Sequence, residues 1–289
     1  MYHTTIRQFA RTRSNGAVNY TSRTPIELDQ LRRIAPSVFA EQAHSSRSTS
    51  YSYIPTSEVL SSLMREGFRP YAVMQGGSRD DDKRGFTKHL LRLRHDSQLA
   101  QVGGNHNEIV LINSHDGTSA YRLMAGIFRL VCGNGMVVAE SMLEDVRVPH
   151  KGGDVTGHVI DGCIQIMDRL PEVNDSVAQM TALRLTEGER RAFAAAALVA
   201  RYDDKPAPVT PEQVLTLRRH DDAAPTVWNT LNTVQESLIR GGLRYVQRDD
   251  QGRRIARRQT REIGGIDQNT TVNRALWALA EEMKKLKTA

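Results

Sequence analysis

No stretch of this 289-residue chain reaches the roughly 20 consecutive apolar residues that a membrane helix needs, so no membrane partner is expected. The segment from Met1 to Gly16 is basic but has no apolar run of the kind a secretory signal carries, and the expected compartment is the cytoplasm. Cysteine is scarce. The only two, Cys132 and Cys163, sit on different elements without metal-ligand spacing, and both read as reduced, buried thiols. Metal-binding histidine patterns are missing too. His89, His95, His106, His115, His150 and His158 never pair at i, i+4 or as His-x-His, so no metal is expected. Gly103–Gly104 and Gly152–Gly153 lack the following Lys-Ser/Thr of a phosphate loop, which argues against ATP. No cofactor is expected.

What the chain does carry is clustered positive charge. Lys and Arg number 39 against 33 acidic residues, a formal charge of +6 with a pI near 9.5. A basic protein attracts polyanions, and clustering decides how strongly. Residues 1–23 hold Arg7, Arg11, Arg13 and Arg23 with no acid, and read as a flexible basic arm. Lys88, Arg92 and Arg94 fall on one face of a strand expected over Phe86–His95, by the two-residue period; His89, Leu91 and Leu93 point the other way. The densest stretch runs from Arg240 to Arg261. It contains Arg240, Arg244, Arg248, Arg253, Arg254, Arg257, Arg258 and Arg261, interrupted by Tyr245 and opposed only by Asp249 and Asp250. Arginine forks match phosphate oxygens and stack on bases. The bland alternative is a solvated loop.

Apolar content is 39% and charged content 25%, enough for one large core or two small ones. The chain is organised around Glu108–Glu140. Glu108–Asn113 reads as a strand buried on both faces, His115–Asp116–Gly117 as a hairpin turn and Ser119–Cys132 as a second strand. Asn134–Gly135 reads as a second turn and Met136–Val138 as a returning strand, giving an antiparallel meander, with Val146–Val148 as a short further strand. Helix signals surround it. Thr24–Pro25–Ile26–Glu27, Thr186–Glu187–Gly188–Glu189 and Thr210–Pro211–Glu212–Gln213 have the form of capping boxes, and Val159–Leu170 follows helical spacing until Pro171 or Asn174 perturbs it. The expected fold is α+β: an antiparallel meander with long helices packed on it and a mostly helical C-terminal half. The expected division is a basic N-terminal arm with one helix (1–50), an α+β core (51–245), an Arg-rich loop (246–268) and a C-terminal helix packing on the core (269–289).

Asn113–Ser114–His115–Asp116 offers a nucleophile, a base and an acid. Neighbours on a strand point to opposite faces, so a Ser-His-Asp triad is rarely three consecutive residues, and a turn asks for these same residue types. These residues do carry a resemblance. Asn113–Ser114–His115–Asp116–Gly117–Thr118–Ser119–Ala120, followed by Phe128–Arg129–Leu130–Val131–Cys132–Gly133–Asn134–Gly135, resembles the paired motifs of a family of phage/plasmid-like proteins catalogued as a domain of unknown function. Trp228–Asn229–x–x–Asn232–x–x–Gln235–Glu236 and Gly241–Gly242 resemble its prophage branch. The likeness runs from Tyr51 to the C-terminal helix, and Gly135 stands where many members have Thr. It implies a mobile-element context and no established activity.

The meander-then-helix layout is similar to the core of single-strand annealing recombinases. That analogy implies copies associating side by side into a ring or filament. Lys88, Arg92, Arg94, Arg122, Arg129 and Lys151 would line a groove for the phosphate backbone of single-stranded DNA, and Arg240, Arg244, Arg253, Arg254, Arg257 and Arg258 would add a second basic stretch. Annealing would need neither ATP nor metal, since base pairing supplies the free energy. Two alternatives stay open. One is a metal-dependent nucleic-acid enzyme using His89, His115 and Asp116 with Glu108. The other is a protein-binding inhibitor of a host defence system.

Overall fold

A computed structural model of the chain describes residues 9–12, 15–46, 53–99, 104–129, 134–138, 143–148, 154–203 and 205–288. The fold is α+β and divides into two compact units, Met1–Phe128 with Leu143–Leu170, and Arg129–Met142 with Pro171–Ala289. The first unit is built on a curled antiparallel sheet of β1 (Phe9–Thr12), β2 (Val18–Thr21), β3 (Phe68–Gln75), β4 (His89–His95), β5 (Asn105–Asn113) and β6 (Tyr121–Arg129). These follow one another in sequence order, each hydrogen-bonded to the next. The second unit holds β7 (Asn134–Val137), and β8 (Val146–Val148) of the first unit pairs with β6. Tyr121–Arg129 is a strand, as the β-branched and turn signals around it indicated, although helical spacing also fitted it.

The N-terminal stretch departs from the expected arm. Its described part forms β1 and β2, paired to each other and onward to β3. Alternation explains this, because Val18 and Tyr20 share the inward side of β2 and are 8% and 4% exposed. Arg7 and Arg13 lie outside the described residues. Thr24 does not open a helix either. The Ile26 N–H donates to the Pro70 carbonyl at 2.7 Å, which holds the chain extended there. α1 (Leu28–Ile34) begins only after it, with Glu27 at the N-cap. A 3-10 turn, Pro36–Phe39, follows. α2 (Thr56–Arg65) stops at Gly67, whose φ of +90° suits glycine.

α3 (Val155–Ala182) runs through Pro171 without a break, and the division between the units falls at that proline. α3 packs closely on β6 and β8 at Gly162, where a Cβ would meet Leu123 Cδ1 and Val146 Cγ1 at 2.7 Å each. Asn134–Gly135 sits inside β7 rather than at a turn, and residues 130–133 lie outside the described ones. In the second unit α4 (Glu187–Tyr202) and α5 (Pro211–Val214) open on the expected capping boxes of Thr186 with Glu189 and Thr210 with Gln213. α6 (Val227–Arg240) is capped by Thr226, whose side chain accepts from the Asn229 N–H. β9 (Arg244–Arg248), β10 (Arg254–Gln259) and α7 (Ile266–Thr288) complete the chain. Trp228 of α6 and Trp277 of α7 meet edge to face in the core, ring centroids 6.2 Å apart. Cys163 is fully buried, and burial pushes its thiol up to about 12; Cys132 lies outside the described residues. Among the described residues no helix is long and apolar enough to cross a membrane.

The Asn113–Asp116 motif forms a turn that is bound on its inner side. Ser114 Oγ accepts from the Ser119 N–H at 2.8 Å, and Asp116 Oδ1 accepts from the Thr118 N–H at 3.0 Å, which closes the loop. Gly117 takes φ +79°. Thr56, at the start of α2, reaches into this turn instead of capping its helix. Its hydroxyl lies 2.9 Å from His89 Nε2 and 3.1 Å from His115 Nε2, and accepts from Asn113 Nδ2 at 2.9 Å. Tyr121 Oη also donates to it, at 3.4 Å. His89, Asn113 and His115 have no solvent exposure. Buried polar groups must find partners inside, and here one threonine supplies them for two strands and a loop. Burial, with His115 adding to it, lowers His89 to about 3.

A depressed histidine pKa sets the sign of a pH effect. The unfolded chain binds a proton near pH 6.5 that folded His89 refuses until about pH 3. This contribution to stability is therefore complete above pH 6.5 and lost as the pH falls toward 3, at up to about 1.4 kcal/mol per pH unit. Denaturant unfolding between pH 7 and pH 5 should show His89→Gln with a flatter loss of stability than the wild type. Identical slopes would mean that His89 protonates freely in the folded protein.

Candidate nucleic-acid interface

The basic residues divide into two populations. The first lies on the sheet. Arg92 Nη1 donates to Glu108 Oε2 at 2.8 Å and Arg94 Nε to Glu108 Oε1 at 3.0 Å. The register explains the meeting: Leu93 opposes Ile109 across β4 and β5, so alternation sets Arg92, Arg94 and Glu108 on one face. That face is closed. Arg92, Arg94 and Glu108 are 7%, 3% and 1% exposed. The Arg94 guanidinium lies 4.1 Å over the Tyr71 ring and 4.9 Å from that of Phe128, so aromatic faces support the charge that Glu108 alone does not balance. Arg122 pairs with Asp145 at 3.0 Å, and Arg129 with buried Asp222.

The expected groove through Arg92, Arg94, Arg122 and Arg129 is therefore corrected. Arg92, Arg94 and Arg129 are interior, Arg122 is committed to a carboxylate, and a phosphate backbone cannot reach buried side chains without displacing that packing. Lys88 is half-buried before β4, and Lys151 lies outside the described residues. The structure brings His89 and His115 together, ring centroids 5.3 Å apart. Both imidazoles meet the Thr56 hydroxyl through Nε2, and the Asp116 carboxylate accepts from Thr118, whose hydroxyl donates to it at 2.6 Å. Among the described residues no three His, Cys, Asp or Glu side chains are grouped to hold a metal.

The second population stands in the open. The stretch expected as an Arg-rich loop is a two-stranded antiparallel ribbon, β9 with β10, in the second unit. Its tip closes through Asp249, whose N–H donates to the Arg253 carbonyl at 2.9 Å, while Gly252 takes φ +77°. At its base Gly241 holds φ +64°, and a Cβ there would meet the Thr260 carbonyl oxygen at 2.6 Å. Leu243 accepts from and Gly242 donates to Thr260 across that base, at 2.9 Å and 2.8 Å.

Cross-strand partners share a face. Arg248 opposes Arg254, Val246 opposes Arg257 and Arg244 opposes Gln259, while Tyr245 opposes Arg258. A bulge between Arg254 and Ala256 adds one residue, which brings Arg254 onto the face of Arg257. One face thus carries Arg244, Arg248, Arg254 and Arg257, all exposed, and the other Tyr245, Gln247 and Arg258. Arg253 pairs with Asp249 and Arg240 with Glu236. Among the described residues no carboxylate pairs with Arg244, Arg248, Arg254, Arg257, Arg258 or Arg261. Like charges opposed across a ladder repel; Arg248 opposes Arg254, and its Nη1 donates to the Gly252 carbonyl at 2.8 Å.

Beside the ribbon the end of α4 forms the other wall of a cleft of about 1260 Å³. Arg201, Tyr202, Pro208, Arg244, Tyr245, Arg257, Arg258 and Arg261 are among the residues lining it. Arg201 lies 5.2 Å over the Tyr202 ring. Burial raises the Tyr202 phenol above its ordinary value, against Arg201 and with a smaller push from neighbouring Tyr245. Arg201 and Tyr202 were not singled out from sequence. Their position at the end of a helix whose start was legible, with Tyr245 set inside the arginine run, was the available signal.

The profile of a family described as a domain of unknown function, DUF932, matches residues 43–277. The chain belongs to this family. It is similar to two Escherichia coli (strain K12) proteins, the UPF0380 proteins YafZ and YfjQ. Each is 44% identical over 269 residues, covering 93% of this chain and 95% of the relative. No solved structure matches it. The DUF932 span includes both arginine populations, so the division between paired and open charge lies within the matched region.

Removing one partner of a buried ion pair costs about 3–5 kcal/mol, because the remaining charge is stranded. Glu108→Ala should lose that much in equilibrium unfolding, and Glu108→Ala combined with Arg92→Met and Arg94→Met should recover most of it. A single-variant loss under about 1 kcal/mol would remove Glu108 from this role.

Proposed function

We propose that this DUF932 protein is a nucleic-acid-binding protein of a mobile element, and that it binds single-stranded DNA and promotes annealing without ATP. The observation that carries the reading is the ribbon. Arg244, Arg248, Arg254 and Arg257 project from one exposed face, and among the described residues no carboxylate pairs with them. Such an arrangement is unfavourable alone and is relieved by a polyanion, whose phosphates take the place of the missing acids. Arginine is the residue suited to this, since its planar fork meets two phosphate oxygens at once. The net charge of +6 draws the strand in. Copies ranged along one strand, as a ring or filament, hold it extended, and pairing with a complementary strand drives annealing.

Removing one phosphate-neutralising arginine lowers the slope of log affinity against log salt by about 0.7 for a single strand. A variant with Arg244, Arg248, Arg254 and Arg257 all replaced by Gln should bind a labelled single-stranded oligonucleotide weakly and with a slope smaller by about 2–3. Fluorescence anisotropy over a salt series reads both quantities, and light scattering reads the assembly state. Binding and slope equal to wild type would end the proposal, since the same titration detects any other polyanion site.

A further inference from the structure

We infer that the cleft between the end of α4 and the β9–β10 ribbon is a base-stacking site, with Tyr202 and Tyr245 as the residues that make the protein prefer single strands to duplex. This deepens the nucleic-acid reading and rests on it. The exposed arginine face of the ribbon does not distinguish strand types, because phosphates are present on both, and a two-stranded ribbon also fits a duplex major groove. The cleft differs. It sets two phenol rings among Arg201, Arg244, Arg257 and Arg261, the combination of stacking platforms and backbone cations used to hold unpaired strands.

The two rings belong to one site. Tyr202 ends α4, just before Asp203 turns the chain away with φ +55°. Tyr245 lies on the ribbon face opposite the four exposed arginines and is itself half-buried. Both line the same cleft, Tyr245 close enough to push up the Tyr202 phenol, and the Arg201 guanidinium lies 5.2 Å over the Tyr202 ring. With a volume of about 1260 Å³ the cleft exceeds the 300–1,000 Å³ common for small-molecule pockets. It is open along the ribbon, which suits a short run of a strand rather than one free nucleotide. Bases in a duplex are already stacked and paired, so they cannot offer their faces to these rings.

The test uses the full chain, a fluorescein-labelled oligothymidine and a duplex of equal length. Tyr202→Leu and Tyr245→Leu keep apolar bulk and remove the ring; Tyr→Phe keeps the ring and removes the hydroxyl. Stacking on one aromatic is worth about 1–3 kcal/mol per base, so each Leu variant should weaken single-strand binding by about 5- to 150-fold. Duplex binding and the salt slope should stay unchanged, and both Phe variants should bind like wild type. Circular dichroism and unfolding midpoints establish that the Leu variants are folded. If the Leu variants bind oligothymidine as well as wild type, or lose duplex and single-strand affinity equally, the cleft is not a stacking site, while the arginine reading stands. If the wild type binds neither probe, both fall.

Discussion

Glu108 decides what most of the central sheet can do. One carboxylate, held between Arg92 and Arg94 on the neighbouring strand, allows two guanidinium groups to lie inside a protein where a lone charge would not be tolerated. Tyr71 and Phe128 complete the enclosure by offering ring faces to Arg94. The consequence reaches beyond stability. These guanidinium groups are turned inward, so a polyanion at the surface meets other basic side chains. Among the described residues Arg244, Arg248, Arg254 and Arg257 stand exposed together on one face of β9 and β10.

The two populations also differ in how they are held. The sheet arginines sit on strands fixed by neighbours on both sides, whereas the ribbon has only two strands and two open edges. Charged side chains along such edges discourage pairing with another chain. Its rigidity comes from its ends, through the Asp249 loop at the tip and the Gly241–Gly242 crossing with Thr260 at the base.

Much of this was legible from residue order, and the failures have physical causes. β4, β5 and β6 followed from alternation and from the Asp116–Gly117 turn, and the Thr186 and Thr210 helix starts followed from capping chemistry. Alternation also placed Arg92 and Arg94 on one face correctly, but it cannot say whether a face is covered. The pairing with Glu108 depends on a register between strands that no local pattern fixes. Thr24 failed as a helix start because a long-range hydrogen bond from Ile26 to Pro70 outweighed a local cap. The ribbon was missed as structure because arginine-rich segments read as solvated loops. Its alternation is obscured by the bulge before Ala256, and the Asp-Asp-Gln-Gly tip was the better guide. Thr56 carried the least signal of all, since its role as partner to His89 and His115 exists only once α2 meets the sheet.

Enclosed and open arginines are thus separate sets. Ultraviolet cross-linking of the intact protein to a bound single-stranded oligonucleotide, followed by peptide mass mapping, tests that separation most directly. Cross-linked peptides are expected from the end of α4 around Tyr202 and from Arg244–Arg261, with none from β4 or β5. Cross-links concentrated on Arg92, Arg94 or their neighbours in the sheet would contradict it.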